Sequence, residues 1–375
     1  MATLCFHKVA IFGILVKTRF IIEGLNSILD EMTKQGMASM KVVLVTPYYH
    51  QPRGNSVTVE RISLGLNRLG ISTEIISVTK DNKLPPLPSA DLVHGFNAYE
   101  FYKYWKYRGS SSNPYLVTLT GTDLNHALFS EKTKDRLVQT LKDAKAIHVF
   151  NKEAKNVIQH EVQGLRNKIH LIPQGTYSFP TNQGRVEKKG EGFIFLLPAG
   201  IRRVKNIASA ISLLTPLHEQ DPRIRLWIAG PVIEQKEWGK VQKLVHEKSR
   251  WIRYWGEIPH AEMGEIYRSA DVVLNTSLSE GQSSAILEAM AMGIPVLASN
   301  ITGNRDIVHH GKTGFLYYGK TDFKHYVRRL MEDEGLRIRM GIMEQKYVRT
   351  YHSSEKEALA LQNVYRQILR RNGNE

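Results

Sequence analysis

The stretch from Asp271 to Val296 constrains the fold more than any other part of the chain. Asp271-Val272-Val273-Leu274-Asn275 is a β-branched apolar run that suits a strand buried on both faces, as in a parallel sheet. Ser277-Leu278-Ser279-Glu280-Gly281-Gln282-Ser283-Ser284 turns the chain into a helix, Gly293 stops it, and Pro295-Val296 opens the next strand. The helix begins among small polar residues, so its first backbone N–H groups face forward unpaired and form a seat for phosphate. Two acids frame it, Glu280 just before and Glu288 two turns in. Eight residues of helix rise about 12 Å, and at roughly 100° per residue the two side chains stand on neighbouring faces. One carboxylate then reaches one end of an extended ligand and the second the other, with the helix terminus between. A nucleotide-diphosphate-sugar has that layout: sugar hydroxyls, two phosphates, ribose hydroxyls. An amphipathic helix with two solvated acids is the plainer alternative.

At 375 residues the chain has room for two domains with their own cores. Cys5 is its only cysteine, which excludes an internal disulfide and points to a reducing, cytoplasmic setting. The formal charge of +15 is spread through both halves. It fits attraction for anionic ligands; peripheral docking on the inner, anionic face of a membrane is the sharper reading. No recognised nucleic-acid module is present, so nucleic acid is not a partner.

Residues 1–39 read as a non-core extension. Their apolar run Val9–Val16 is too short to cross a bilayer, and an amphipathic membrane-contact helix is the second reading. Residues 40–178 form the first α/β domain. Lys41–Thr46 is a buried strand, a loop carrying Gly54 and Asn55 follows, and Val57–Leu69 has helical periodicity. Strands are predicted at Glu74–Val78, Asp91–His94, Tyr115–Thr120, Ala146–Phe150 and Lys168–Ile172. His94 and Asn97 close one strand and Thr120-Gly121-Thr122-Asp123 follows another, on the edge where parallel sheets hold ligands, although a lone histidine there is more often a satisfied structural residue. The aromatic-rich segment Ala98–Tyr107 reads as packing, with an acceptor groove as its alternative. Asp123 is either a polar anchor or a helix cap. Residues 179–192 read as linker and 193–350 as a second α/β domain. That domain opens with strand Phe193–Pro198 and a loop loaded with Arg202, Arg203 and Lys205. Ser354 and Glu357 have capping-box spacing before a last helix.

The two glutamates, in the setting Glu-Gly-…-Leu-Glu-Ala-Met-Ala-…-Gly-…-Pro-Val, resemble the donor-site signature of the retaining glycosyltransferases of family four, the group one glycosyl transferases. The resemblance runs from Met40 onward and is most specific over 193–318. It implies the GT-B fold: two Rossmann-like β/α/β domains around a cleft, with the final helix, 353–371, crossing back to the first. It also implies roles. Glu280 would contact the donor sugar, and Glu288 would hold the ribose. Gly281, Gln282, Ser283 and Ser284 would line the donor. Lys205 with Arg202 or Arg203 would take the diphosphate, and Gly256 and Ile258 would clasp the base. Gly54 and Asn55 would lie between phosphate and acceptor. His94, Asn97, Thr120, Thr122 and Asp123 would stand on the acceptor side. The sequence departs from the family at Glu-Gly-Gln-Ser, usually Glu-Gly-Phe-Gly, and at Thr120, where many members carry His. The Thr-Gly-Thr-Asp wording is similar to that of glycosyltransferase-one domain-containing proteins and of selenosugar synthases.

The implied activity is metal-independent transfer of a sugar, with retention, from a nucleotide-diphosphate-sugar such as a UDP-sugar. The acceptor is open: a small molecule, a polysaccharide or a lipid-linked molecule. No Asp-x-Asp motif is present, and no metal or other cofactor is expected, the nucleotide-sugar being substrate. A selenosugar or thiosugar synthase, a nucleotide-sugar epimerase and a non-catalytic sugar-binding protein stay open.

Overall fold

The computed structural model describes residues 40–49, 54–78, 85–107, 112–177, 179–180 and 192–372. The extension 1–39 with Cys5, and most of the linker, lie outside them. The first six strands are β1 (Lys41–Thr46), β2 (Ser72–Ser77), β3 (Leu92–Phe96), β4 (Tyr115–Thr118), β5 (Ala146–Val149) and β6 (Ile169–Leu171). They form one parallel sheet in the order β2-β1-β3-β4-β5-β6. A second parallel sheet holds β7 (Phe193–Pro198), β8 (Ile224–Ala229), β9 (Ile252–Tyr254), β10 (Val272–Asn275), β11 (Val296–Ser299) and β12 (Phe315–Tyr317). Its order is β12-β11-β10-β7-β8-β9. Helices cover the sheets, so central strands such as Val42–Val45 and Val272–Leu274 are buried on both faces. Each sheet reverses its winding once, between β1 and β3 and between β7 and β10. Such a reversal leaves a crevice at the strands' carboxyl ends, where ligands bind in open α/β sheets.

Element boundaries differ from the sequence reading mostly at loops. The first helix starts at Gly54, not Val57. Gly54 and Asn55 form its opening turn, and Ser56 Oγ donates to the carbonyls of Tyr48 and Tyr49. The aromatic helix Ala98–Tyr107 serves packing: Phe101 and Tyr104 are buried, and Phe101, Trp105 and Tyr115 form one ring cluster.

The last helix, Ser354–Asn372, lies against the first, Gly54–Arg68. Arg61 donates twice to Glu357, from Nε at 2.8 Å and Nη2 at 2.9 Å, with both side chains nearly sealed from water. Glu357 therefore has no capping role. The cap is Ser353, whose Oγ accepts from Lys356 N at 3.3 Å.

His94 is fully buried beneath this returning helix, not on the acceptor edge. It belongs to a buried chain of hydrogen bonds: Tyr365 Oη to His94 Nδ1 (2.7 Å), His94 Nε2 to Thr118 Oγ1 (2.5 Å), Thr118 Oγ1 to His148 Nδ1 (2.8 Å), His148 Nε2 to Ile172 O (2.9 Å). A carbonyl only accepts, so His148 Nε2 carries a proton. Burial lowers both imidazoles below their ordinary value, His148 to about 4, so both rings are neutral at pH 7. With one proton per ring, every donor follows: Tyr365 gives to His94, His94 to Thr118, Thr118 to His148, and His148 to Ile172.

The helix Glu334–Tyr351 lies behind Ser284–Ala291 and hides a carboxyl. Glu344 is fully buried between Met340 and Val348, and neither of its oxygens has a hydrogen-bond partner. Burial pushes it well above the ordinary 4.5, and the nearby Val296 N–H offsets this only in part. Because the unfolded chain releases this proton first, the stability conferred by the neutral carboxyl is full below about pH 4.5 and is lost as pH rises. Glu344→Leu is accordingly expected to stabilise the protein at pH 7 by about 1–2 kcal/mol. A calorimetric midpoint that falls instead would show that the carboxyl is satisfied.

Candidate active site

The crevice between β7 and β10 gathers the charged groups. After β7 the chain passes through Arg202 and the single turn Arg203–Lys205 into the helix Ile207–Gln220. Asn206, at the join, is left-handed (φ 51°), a conformation that asparagine tolerates. After β10, Thr276 Oγ1 donates to the carbonyls of Lys205 and Asn206, and Leu278 N donates to Val204 O. The two loops are thus stitched together before any ligand is considered. Lys205 Nζ lies 2.5 Å from Glu280 Oε1, which also accepts from Ser277 Oγ at 2.7 Å and Asn275 Nδ2 at 3.2 Å. Burial alone would raise the Glu280 carboxyl. The Lys205 charge and the hydrogen bonds from Lys205, Ser277 and Asn275 outweigh it and hold the group below its ordinary value. Asn275 is fixed in turn, its Oδ1 accepting from Ser277 N and Asn304 Nδ2.

The helix Ser284–Ala291 begins beside this cluster. Its N-cap, Ser283, makes no side-chain cap; its Oγ accepts from Asn275 Nδ2 at 3.3 Å. The first-turn amides are therefore left for a ligand, the arrangement that favours phosphate at a helix start. Arg202 and Arg203, left open by the sequence, separate here. Nε of Arg202 is buried without a partner, whereas Arg203 is exposed and its backbone N–H is held by Glu234 Oε2 at 2.9 Å. Gln282 Oε1 is a second buried polar atom lacking a partner.

Glu288 is buried, and each of its oxygens has one donor: His260 Nε2 at 2.8 Å on Oε1, Tyr267 Oη at 2.9 Å on Oε2. An ionised carboxylate has about four acceptor positions, so two stay available. Just before His260, Gly256 is left-handed (φ 74°), and its carbonyl accepts from Gly230 N; Ile258 packs on the core under β10.

The amino-terminal domain meets this site at its own strand ends. Gly121 lies against Gly281 so closely that a Cβ on Gly121 would sit 2.7 Å from Gly281 N. Asn125 Nδ2 donates to Glu280 O at 3.4 Å and Gln174 Nε2 to Ser284 Oγ at 2.7 Å. Gly121→Ala is expected to prop the two backbones apart and cut turnover about tenfold to a hundredfold, since a displacement of an ångström costs that much in a positioned reaction. An unimpaired rate for that variant would mean the contact opens during turnover.

The acceptor-side assignments divide. Asp123 does not face the cleft. Its carboxylate is buried and accepts from Thr120 N (2.9 Å), Thr120 Oγ1 (3.0 Å) and Tyr99 N (3.3 Å), and burial, opposed by these bonds, brings it to about 6. It ties two strand-to-helix turns together, the cap alternative in another form. Asn97 is buried and left-handed, accepts from Glu100 N and donates to Thr120 Oγ1. Thr122 is exposed on the short helix Gly121–Asn125, and Gly54 has open space around it. Among the described residues no group of three or more His, Cys, Asp or Glu is placed to hold a metal ion, and no helix is long and apolar enough to cross a membrane.

Sequence reasoning missed His260, Tyr267, Asn275, Ser277 and Asn304 as site residues. Polar residues directly after a β-branched strand were a usable signal for Asn275 and Ser277; His260 and Tyr267 carried none.

Two doubly wound parallel sheets that meet at their strand ends define the GT-B class. Residues 178–347 match the family of glycosyl transferases group 1. The chain is 28% identical over 316 residues to glycosyltransferase 1 domain-containing protein 1 of Xenopus tropicalis, covering 81% of this chain and 91% of that one. It is 30% identical over 184 residues to a D-inositol 3-phosphate glycosyltransferase of Pseudarthrobacter chlorophenolicus, covering 46% and 43%. Among solved structures, sucrose-phosphate synthase of Thermosynechococcus elongatus superposes with a TM-score of 0.72 at 18% identity, over 88% of this chain and 99% of that one. Anabaena HepE, in complex with UDP and glucose, superposes at 0.70 and 14%, over 88% and 100%. Over residues 178–347 the chain is similar to the group 1 glycosyl transferases, and its two sheets have the GT-B fold.

Proposed function

We propose that this glycosyltransferase transfers a hexose-type sugar from a UDP-sugar with retention, without a metal, to an acceptor nucleophile. One observation carries the reading: Glu280 sits at the β7–β10 reversal, 2.5 Å from Lys205, beside a helix start that no side chain caps. Cleavage of the sugar–phosphate bond puts negative charge on the departing diphosphate. Lys205, Arg202 and the first amides of Ser284–Ala291 are fixed positive groups that would stabilise it, and one such group is worth about 10²–10³ in rate. Arginine suits a forked phosphate contact and lysine a point contact. Glu280 would orient the sugar, Glu288 the ribose, and the departing phosphate would help deprotonate an acceptor attacking from the same face. The UDP donor is supported by the structures of Anabaena HepE with UDP and glucose and of the pneumococcal transferase GtfA with UDP and GlcNAc.

The test incubates the full chain, with and without EDTA, with a panel of nucleotide-sugars. It follows nucleotide release and reads the product anomer by NMR. The expected result is EDTA-insensitive UDP release with the donor's anomeric configuration kept. Donor isomerisation without acceptor would replace the proposal with an epimerase. Transfer onto added selenophosphate would keep the reaction class and name the acceptor. Inversion at the anomeric carbon would overturn the mechanism.

A further inference from the structure

The residue holding Glu288 also touches the segment that joins the two domains. His260 heads the single turn His260–Glu262 that follows the loop after β9. Its Nε2 faces a carboxylate, which only accepts, so that nitrogen carries the proton and donates to Glu288 at 2.8 Å. The ring packs against a pair of touching aromatics, Tyr177, centroids 4.6 Å apart at 74°, and Phe179, 5.4 Å at 52°. Both aromatics lie on the stretch of chain leaving the first domain. That stretch is anchored at each end, by Thr176 N on His352 O (2.9 Å) and by Arg268 Nη1 on Pro180 O (3.0 Å). Phe179 also packs on Tyr267, the second donor to Glu288.

We propose that His260 is a positioning residue that makes the grip of Glu288 on the ribose depend on the interdomain strap that carries Tyr177 and Phe179. The inference rests on the reading of Glu288 as the ribose holder. With one donor per oxygen, the carboxylate plane is fixed and its remaining lone pairs have set directions. The Tyr267 hydroxyl alone would fix one oxygen and leave the carboxylate free to turn. Both ring contacts bear directly on the imidazole, so a displaced strap would tilt it and weaken the hold. Ribose recognition and the relative setting of the domains then share one side chain.

Binding of UDP and of 2′,3′-dideoxy-UDP to the full chain, measured by titration calorimetry, needs no acceptor and isolates the ribose hydroxyls. The unmodified protein is expected to prefer UDP by about tenfold or more, the worth of a hydrogen bond to a charged group. Glu288→Ala should abolish the preference. His260→Ala should reduce it below about threefold while leaving the dideoxy affinity within about twofold. His260→Gln, whose amide nitrogen reaches about as far as Nε2, should restore most of it. Tyr177→Ala, whose ring makes no bond to Glu288, should lower it in part. A parent protein without preference, or one whose preference survives Glu288→Ala, refutes the ribose reading itself. A preference that needs Glu288 but survives His260→Ala overturns the positioning role alone, as does equal weakening of both nucleotides. A Tyr177→Ala protein with the parent's preference overturns the dependence on the strap.

Discussion

Glu280→Ala is expected to lower sugar transfer about a thousandfold while UDP binds as well as before. The carboxylate accepts from Lys205, Ser277 and Asn275, and its removal frees the Lys205 ammonium to meet the diphosphate without competition. Nucleotide affinity therefore holds or rises as turnover collapses, a split that a general loss of structure would not produce. The loops keep their other ties, from Thr276 to the carbonyls of Lys205 and Asn206 and from Leu278 to Val204. The thermal midpoint should stay close to the parent's. Glu280→Gln keeps the hydrogen-bonding shape without the charge and should fall between the two, about a hundredfold down. A Glu280→Ala protein that still transfers sugar at near the parent rate would remove this carboxylate from the reaction. So would one that loses UDP binding along with activity, since the defect would then be structural.

The arrangement after β10 was legible because its elements are local in the chain. Strand, turn and helix start follow one another within Asp271–Ala291, so spacing alone places Glu280 and the amides together. The apolar runs also announce the strands plainly, since strands buried on both faces have no polar alternation to blur them. What the sequence could not show is pairing over long separations. His94 ends a strand on the edge where ligands bind, yet its ring is spent on Tyr365, 271 positions away. Glu357 has capping spacing, but Arg61 claims it from 296 positions away. Asp123 could be an anchor or a cap from its neighbours alone, and Tyr99 decides it through a second turn. His260 is the converse case, a residue with no motif around it that gains importance only when the chain folds Tyr177 and Glu288 onto its ring.

Thr118→Val is expected to destabilise the protein by about 3 kcal/mol, more than the loss of either end of the chain it interrupts. The substitution keeps the side-chain shape and deletes one hydroxyl, but that hydroxyl both accepts from His94 and donates to His148. Its loss strands a buried donor and a buried acceptor at once, each costing about 1–3 kcal/mol. Tyr365→Phe removes only the terminal donor and leaves one acceptor, His94 Nδ1, without a partner; about half the cost is expected. The same network sets an acid limit. His148 titrates in the folded protein at about 4, chiefly through burial, with Glu357 and Arg61 pulling in opposite directions. As pH falls the unfolded chain takes up this proton first. The stability that the neutral ring confers is present above about pH 6.5 and lost down through about pH 4, a change of about 3 kcal/mol from His148. His94 adds to it in the same direction. Urea titrations of the parent between pH 7 and pH 4 would read the slope, and those of the two variants at pH 7 would read the ranking. Equal losses for Thr118→Val and Tyr365→Phe would show that the bonds do not run in one direction through Thr118, and a parent whose stability is flat across that range would show that the imidazoles are not held neutral.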